Sequence, residues 1–228
     1  MDTFNRLEYN SAKGLFFLVL FTVLMVKSCT AQAQQPLYKG IATNFGIRSF
    51  TLTSDIPELN NLRVVQEGGN AGFIIGNDII RARIHGLGYY YSAAKTSRTV
   101  NTIEIEGLGN FYPISAIARN YAGKLNPYIM GGVSQGFLKF HGNYLNDENT
   151  PVNYSSGSEP LLGKMSATVA TVGMGLEYRL HFFGTFVHLF TEARFGKPVM
   201  MKGDDVFSNT AISDRSSVSV GVSFGGIR

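Results

Sequence analysis

Histidines are the side chains of this chain that could act as a base, an acid or a metal ligand near neutral pH, and there are four of them. His85 and His188 alternate with apolar residues, while His181 falls in a short turn. His141 follows an apolar segment and could reach a lipid acyl chain. A hydrolase would need a nucleophilic serine beside it, and no His-x-Ser-Asn cluster accompanies His141. We therefore expect no catalytic residue and no enzymatic activity, with a lipid-modifying enzyme that depends on His141 as the alternative.

Metal and cofactor sites are not indicated by the sequence either. No pair of histidines has the spacing of metal ligands, and Cys29 is the one cysteine of the chain. The glycine pair Gly131-Gly132 does not precede a helical segment, so it does not form a phosphate-binding loop. We expect no metal and no cofactor.

Charged residues and histidines recur at alternate positions, and a period of two is typical of strands rather than helices. In residues 166–180, Val172, Met174 and Leu176 share one face, while Glu177 and Arg179 share the other. The same division in the other segments predicts one polar face, which carries Arg81, Arg83, His85, Glu104, Glu106, Lys139, Glu177, Arg179, His188, Glu192 and Arg194.

Eight alternating segments are separated by turn residues, which predicts an all-β domain of eight antiparallel strands. Long polar intervals at 51–66, 142–163 and 197–214 are typical of an up-and-down transmembrane β-barrel with its long loops at one end. The predicted strands are 38–50, one within 62–75, 80–93, 100–112, 127–140, 166–180, 185–195 and 216–224.

The polar face is predicted to line the inside of this barrel. An interior of eight strands is just wide enough for side chains to fill, so we expect a plugged lumen rather than an open pore. Its five positive and four negative charges nearly cancel, as buried charges must, because an unpaired buried charge is costly. The turn at 181–184 further predicts that Glu177 lies opposite His188.

Alternation alone does not decide which face is inside. A soluble or lipidated periplasmic barrel that binds an apolar ligand would have the apolar face inside, and it remains an alternative. An export signal, the absence of a cysteine pair and aromatic residues near strand ends favour the membrane barrel. The aromatic residues predicted to form girdles at the membrane interfaces are Phe111, Tyr128, Phe140, Tyr178, Phe195 and Phe224.

The N-terminus is typical of an export signal. Two basic residues precede the unbroken apolar run Leu15–Val26, which is shorter than the roughly 20 residues of a spanning helix. Ala31-Gln32-Ala33 matches the small-x-small cleavage pattern. We therefore predict a signal peptide at 1–33 and a single barrel domain at 34–228.

Cleavage before Cys29 with lipid attachment to its thiol is the alternative to cleavage after Ala33. Lys27 departs from the small, uncharged residues that such a lipidation site needs. Removal of residues 1–33 would take three of the 20 basic and two of the 16 acidic residues, leaving 17 and 14. A net charge of +3 is too small to indicate a nucleic-acid partner.

Three segments resemble strands of one known family. Leu125–Val133 (LNPYIMGGV) is similar to its PY-apolar-x-G-G-V strand, and Val172–Leu180 (VGMGLEYRL) to its G-x-G-x-E-Y strand. Phe190–Gly196 (FTEARFG) is similar to its F-x-E-A-R-aromatic-G strand. In this order, the motifs resemble the small Gram-negative outer-membrane β-barrel proteins typified by the membrane domain of outer membrane protein A and by outer membrane protein X.

The end of the chain is similar to the assembly signal of that family. Ser219, Gly221 and Phe224 match the signal, while Gly226 stands where its last aromatic residue belongs. The resemblance implies a location in the cell outer membrane of a Gram-negative bacterium, with the outer-membrane lipid bilayer and the barrel-assembly machinery as partners. We expect a monomer whose loops meet an extracellular ligand. Whether the loops serve a structural, an adhesion or a ligand-binding role stays open.

Overall fold

The computed structural model describes residues 37–56, 59–93, 98–118, 123–142, 161–182 and 185–227. The predicted signal peptide, including Cys29, lies outside these residues, so the division of the chain at residue 34 stays a prediction. The described elements are β1 (Tyr38–Thr53), β2 (Leu62–Gly76), β3 (Ile80–Ala93), β4 (Arg98–Phe111), α1 (Pro113–Ile117), β5 (Leu125–Gly142), β6 (Leu161–Phe182), β7 (Thr185–Gly203), β8 (Ala211–Ile212) and β9 (Arg215–Ile227). No helix in this part of the chain has the length and apolar character needed to cross a bilayer.

Eight of these strands close into one barrel in which each pairs antiparallel with its neighbours. β9 pairs with both β7 and β1 and so completes the ring, while the two-residue β8 pairs with the end of β1. The predicted fold of eight antiparallel up-and-down strands is confirmed. Tyr38 pairs with Ile227 at one end of the barrel, which we call the terminal end. The connections after β1, β3, β5 and β7 lie at the opposite end, the loop end.

The strands are staggered around the barrel. A path through paired residues starts at Lys39 and returns to β1 at Ser49, ten residues further along. Its steps are Lys39, Ile75, Ala82, Gly109, Gly131, Val172, Phe195, Ser216 and Ser49. Such a stagger requires the strands to tilt, typically by about 35–45° from the barrel axis.

Apolar side chains point outward and charged side chains point inward. Val172, Met174 and Leu176 are 41–66% exposed, whereas Glu177 and Glu192 are buried. A soluble protein rarely exposes an apolar surface that continues around the molecule, so this surface is one that fits lipid acyl chains. We call it the apolar belt, and its most exposed members on the other strands include Ile41, Phe45, Phe73, Ile84, Ile103, Ile105, Ile129, Leu189, Val218 and Val220.

β5 departs from the predicted distribution of side chains. Lys139, predicted to face the lumen, is exposed on the outer face, so that prediction is wrong. Gly136 pairs with Glu104, whose side chain is buried, and this pairing turns the even-numbered residues of β5 inward. Apolar residues occupy both faces of β5, as Leu138 inside and Phe137 outside illustrate, so polarity alone does not identify its inner face.

The aromatic girdles are only partly as predicted. Phe111, Phe195 and Phe224 are exposed on the outside, and Tyr178 is half-buried. The other two, Tyr128 and Phe140, point into the lumen, because they are even-numbered residues of β5. The prediction that they lie at a membrane interface is therefore wrong.

The hairpin of β6 and β7 is tighter than predicted. Pairing continues to Phe182 and Thr185, so Arg179 rather than Glu177 lies opposite His188. The side chains of Glu177 and His188 nevertheless meet, with 3.3 Å between Oε1 and Nδ1. A shift of two residues preserves the face on which each side chain lies, which explains why the contact survives.

Replacement of Met174 by arginine places a guanidinium in the middle of the apolar belt. A charge on the lipid-facing side of a barrel costs about 2–4 kcal/mol at the bilayer midplane, so the free energy of unfolding should fall by that amount. The measurement is a urea titration of protein refolded into phosphatidylcholine vesicles, followed by circular dichroism because the chain has no tryptophan. Asn60→Arg, at an exposed position of the loop end, is the control and should cost less than about 0.5 kcal/mol. Equal losses in both variants would contradict a lipid-facing belt.

Candidate functional site

The barrel lumen is where the charged side chains of the spanning strands meet. It contains ten of the eleven residues that the sequence predicts there, with Lys139 as the exception. Arg48 and Arg215 also enter the lumen, although they are not among the residues predicted to line it. Arg48 lies on the inner parity of β1, which was a usable signal, whereas Arg215 precedes the predicted start of the last strand. Within the described residues, the charges form three clusters that follow one another from the terminal end to the loop end.

The terminal cluster is centred on the Glu177 carboxylate. Arg81 Nη1 donates to Glu177 Oε2 over 2.8 Å, and the Tyr112 hydroxyl donates to the same oxygen over 2.9 Å. Arg179 Nε and His188 Nδ1 lie 3.2 and 3.3 Å from Glu177 Oε1. Burial raises the pKa of Tyr112, which lies just beyond β4, so its hydroxyl keeps the proton that it donates. One carboxylate thereby ties together β3, β6, β7 and the start of the α1 connection.

Aromatic rings enclose the Arg81 guanidinium of the terminal cluster. Its central carbon lies 4.5 Å from the centre of the Tyr38 ring and 4.7 Å from that of Tyr112. The Tyr38 ring in turn stacks on His188, with 5.2 Å between ring centres. Cation–π contacts of this kind are favourable when the cation is desolvated, so the rings help to stabilise a guanidinium that is almost completely buried.

The central cluster pairs two arginines with two glutamates. Arg83 Nη2 lies 2.5 Å from Glu192 Oε1, and Arg194 Nη1 lies 2.6 Å from Glu106 Oε2. Arg194 also pairs with Glu192, and the Tyr128 hydroxyl donates to Glu192 Oε1 over 2.5 Å. The formal charges of this cluster cancel, and its carboxylates are bonded to donors from β3, β5 and β7.

The loop-side cluster places two arginines on one carboxylate. Arg48 Nη1 and Arg215 Nη1 lie 2.5 and 2.7 Å from Glu104 Oε2. Arg48 Nε donates to Gln66 Oε1 over 2.7 Å, and Arg215 Nη2 donates to Ser134 Oγ over 3.2 Å. The cluster therefore carries one excess positive charge, which polar oxygens and the ring of a neighbouring tyrosine partly compensate.

His85 lies in the lumen but does not join these clusters. Its side chain is buried on β3, and neither ring nitrogen bonds another described residue. We interpret it as a residue that fills space in the lumen.

An apolar layer closes the lumen beyond the loop-side cluster. Phe207, from the connection between β7 and β9, is fully buried and stacks on Phe140 with 4.5 Å between ring centres. We call residues 204–210 the cover. Other buried members of the layer are Phe50, Leu52, Leu59, Val64, Val100, Leu138, Met165, Ala167, Val169 and Ile212.

Hydrogen bonds hold the cover in place. The Asp204 carboxylate accepts from the backbone N–H groups of Lys164 and Phe207 over 2.6 and 3.2 Å. Thr210 shares a 2.8 Å hydrogen bond with Ser54, and Asn209 donates to Asp55 over 2.7 Å. The cover thus joins β6 to the connection after β1 and closes the loop end across the barrel.

The interior has little free space. A cavity of about 10 Å³ lies between the loop-side and central clusters, with Thr171 and Tyr89 in its wall. That is about the space that one water molecule requires. Ion pairs on one side and the apolar layer on the other interrupt any route along the axis in the described part of the barrel.

The candidates for catalysis and metal binding do not come together in one site among the described residues. His141 is half-buried at the loop end of β5, and its paired residues on the neighbouring strands are Thr99 and Leu161. Among the described residues, no three histidine, cysteine, aspartate or glutamate side chains lie close enough together to hold a metal ion. Within the part of the chain that the structure describes, the charged side chains that come together are therefore those of the lumen, and they interact by forming ion pairs.

Comparisons with known proteins give matches among solved structures. No family model matches the sequence, and no curated protein matches it. Neisserial surface protein A is 15% identical, covering 82% of this chain and 95% of its own, with a TM-score of 0.44. Ail, the attachment invasion locus protein of Yersinia pestis, is 11% identical over 84% of this chain and 99% of its own, also with a TM-score of 0.44. The outer membrane protein OprG from Pseudomonas aeruginosa is 10% identical over 84% and 95%, with a TM-score of 0.41.

These matches are Gram-negative outer-membrane β-barrels, the class that the sequence motifs resemble. The description of this chain as a closed eight-stranded barrel rests on its own strand pairing.

Replacement of Glu104 by glutamine removes the carboxylate that Arg48 and Arg215 share. Loss of one partner from a buried ion pair typically costs about 3–5 kcal/mol, because the remaining charge stays buried. The free energy of unfolding in vesicles should fall by that amount in the urea titration. Glu67→Gln, which alters an exposed carboxylate of β2, is the control and should change it by less than about 0.5 kcal/mol. A loss below about 1 kcal/mol for Glu104→Gln would show that the loop-side cluster does not need its carboxylate.

Replacement of Phe207 by alanine removes the ring that closes the apolar layer. Loss of a buried phenylalanine ring typically costs about 3–5 kcal/mol of stability. Because Phe207 belongs to the cover and not to a barrel strand, we expect the cover to open while the barrel stays folded. Hydrogen exchange at the Lys164 and Phe207 amides, both bonded to Asp204, should then accelerate at least about 100-fold. Val206→Ala, at a position 51% exposed, should leave both exchange rates within about two-fold. Unchanged exchange in Phe207→Ala would mean that the hydrogen bonds hold the cover without the ring.

Proposed function

We propose that this chain is a non-enzymatic integral protein of the outer membrane of a Gram-negative bacterium, whose closed barrel presents loops to the outside. The single observation that carries the proposal is the orientation of the sheet. Ion-paired side chains fill the lumen, and an apolar belt surrounds the barrel. A barrel dissolved in water would reverse this arrangement, since the hydrophobic effect drives apolar side chains inside.

The contents of the lumen support a structural barrel rather than a channel. Three ion-paired clusters and the apolar layer under Phe207 lie in series along the axis. Permeation would require breaking buried ion pairs, which is costly. The barrel therefore serves as a rigid support, and its charged interior ties neighbouring and opposite strands together.

Loops at the loop end are the parts that this support would expose outside the cell. The cover and the connection after β1 are fastened to each other by Ser54, Asp55 and their partners. The polar segment 143–160 lies outside the described residues and joins β5 to β6 at the same end. Adhesion or ligand binding would take place on these loops, which are the usual sites of function on a rigid scaffold.

We further propose that the chain is exported by its signal peptide and inserted into the membrane by the barrel-assembly machinery. The signal peptide at 1–33 would direct the chain out of the cytoplasm, and the barrel domain at 34–228 would reach the barrel-assembly machinery. Ser219, Gly221 and Phe224 of β9 carry the part of the assembly signal that the sequence retains. Because β9 pairs with both β1 and β7, each chain closes its own barrel, and we propose a monomer.

Site-specific proteolysis in intact cells tests this proposal. One variant carries a protease recognition sequence inserted between residues 150 and 151, and a matched variant carries the same insertion between residues 120 and 121 at the terminal end. Protease added outside the cells should cut the first variant and leave the second intact. After the outer membrane is permeabilised, both should be cut.

Fractionation supplies the second readout. The unmodified chain should stay in the membrane during alkaline carbonate washing and dissolve in detergent, and its gel mobility should shift on heating. Release by carbonate would instead indicate a soluble or peripheral protein and would overturn the proposed location. Cleavage of the 120–121 insertion in intact cells would overturn the proposed orientation.

A further inference from the structure

Three lysines lie together on the outer face of the wall formed by β5, β6 and β7, near the loop end. Lys139 and Lys164 are directly paired on neighbouring strands, and Lys202 pairs with Ser166, which makes it the diagonal neighbour of Lys164. Paired residues have Cβ atoms about 5 Å apart, and diagonal neighbours lie about 7–8 Å apart. All three side chains are exposed. We call Lys139, Lys164 and Lys202 the lysine patch.

The three lysines of the patch form no direct ion pair with a described carboxylate. Asp204 follows the end of β7 next to Lys164, and its carboxylate is oriented toward two backbone N–H groups at the base of the cover rather than toward a lysine, so it compensates only part of the positive charge. Like charges directly opposite each other on a sheet are destabilising. An anionic partner would relieve this repulsion.

The position of the patch relative to the apolar belt indicates what kind of anion would lie next to it. On β5, Phe137 is 52% exposed and precedes Lys139 on the same face. On β7, Lys197 follows the exposed Phe195 and adds a fourth positive charge at the edge of the apolar belt. The patch thus begins where the belt ends, at the level where a bilayer changes from acyl chains to headgroups. Lysine side chains at such a boundary extend their charged ends into the headgroup layer.

Polar side chains next to the patch are suited to the sugars and linkages of a headgroup. Thr168 and Gln135 are hydrogen-bonded to each other over 2.6 Å on the outer face, on the belt side of the patch. Ser166 lies between Thr168 and Lys164 on β6. Below them, Val172 and Met174 are exposed along the same wall and would contact acyl chains. Along β6, the outer face therefore carries apolar, polar and cationic side chains in that order, which matches the order of acyl chains, sugars and phosphates in a phosphorylated lipid.

The strands β9, β1 and β2 lack this arrangement. Ser49 and Ser216 are hydrogen-bonded to each other over 3.0 Å at the loop-side edge of the belt on β1 and β9. The neighbouring strand β2 carries both Arg63 and Glu67 on its outer face, so its exposed charges balance. A group of three neighbouring lysines is therefore found on the β5–β7 wall and not on β9, β1 or β2.

We propose that the lysine patch binds the phosphate groups of a lipid of the outer leaflet and holds that lipid against the β5–β7 wall. The inference rests on the proposed function, because it requires the loop end to face outward. Ammonium groups are compact point charges that suit phosphate oxygens. Bound phosphates would offset the repulsion between Lys139 and Lys164, so the lipid would act as the counterion of this wall.

Lipid binding to the purified full chain tests the proposal. The wild-type protein, in non-ionic detergent micelles, is titrated with bisphosphoryl lipid A and with the same lipid after removal of its phosphates, and native mass spectrometry counts the bound lipids. The wild-type protein should bind the phosphorylated lipid at least about ten-fold more tightly. The triple variant Lys139→Gln, Lys164→Gln and Lys202→Gln should lose that preference.

A matched variant separates the patch from general charge effects. Lys39→Gln, Arg63→Gln and Lys124→Gln remove the same number of positive charges from exposed positions outside the β5–β7 wall. Its affinity for the phosphorylated lipid should stay within about two-fold of the wild-type value. Heat-shifted gel mobility confirms that each variant is folded, as expected for changes at exposed side chains.

Two results would overturn the proposal. Equal affinities of the wild-type protein and the triple variant for the phosphorylated lipid would exclude the patch as the lipid site. Full competition by inorganic phosphate, with no preference for the phosphorylated lipid over the dephosphorylated one, would assign the patch to free phosphate. Either result leaves the proposed function intact if the proteolysis and carbonate tests succeed, so the two failures are distinguishable.

Discussion

Ion pairing inside a narrow, poorly hydrated lumen is the interaction on which the rest of this structure depends. A guanidinium or carboxylate enclosed by eight strands is stable only when it is paired and hydrogen-bonded. Glu104, Glu177 and Glu192 each accept bonds from two or more side chains on different strands. These contacts cross the barrel, whereas backbone hydrogen bonds join only adjacent strands. The clusters therefore supply cohesion that a membrane barrel cannot obtain from an apolar core.

The outside of the barrel follows from the same constraint. Because the period of a strand is two, inward charges leave the alternate positions free for apolar side chains, and these form the apolar belt. Where the belt ends on the β5–β7 wall, Lys139 and Lys164 are exposed as neighbours. The charged residues on the inner and outer faces of this wall therefore differ in their partners. Inside, arginines are paired with glutamates of the chain itself, and outside, the lysines form no direct ion pair with a described carboxylate.

The loop end of the barrel is closed by the cover, and the long loops lie at the same end. Phe207 and its apolar neighbours seal the lumen, and Asp204, Asn209 and Thr210 fasten the cover to β6 and to the connection after β1. The barrel is therefore rigid close to the loops that it presents. This arrangement agrees with the proposed role of the barrel as a rigid support for its loops.

The sequence by itself determined the number of barrel strands, the central residues of each strand and the face of most side chains, because alternation of polarity is a local property with a period of two. The ends of β6 and β7 extend into intervals predicted as loops. Arg81, Glu106 and Glu192 lie inside as their parity predicts. Only the tertiary structure decided the inner face of β5, where both faces are apolar and the pairing of Gly136 with Glu104 turns Lys139 outward. The partners of each charge, the two-residue shift of the β6–β7 hairpin and the entry of Phe207 into the lumen depend on contacts between residues far apart in the chain. No local pattern encodes such contacts, since they arise only when the barrel closes.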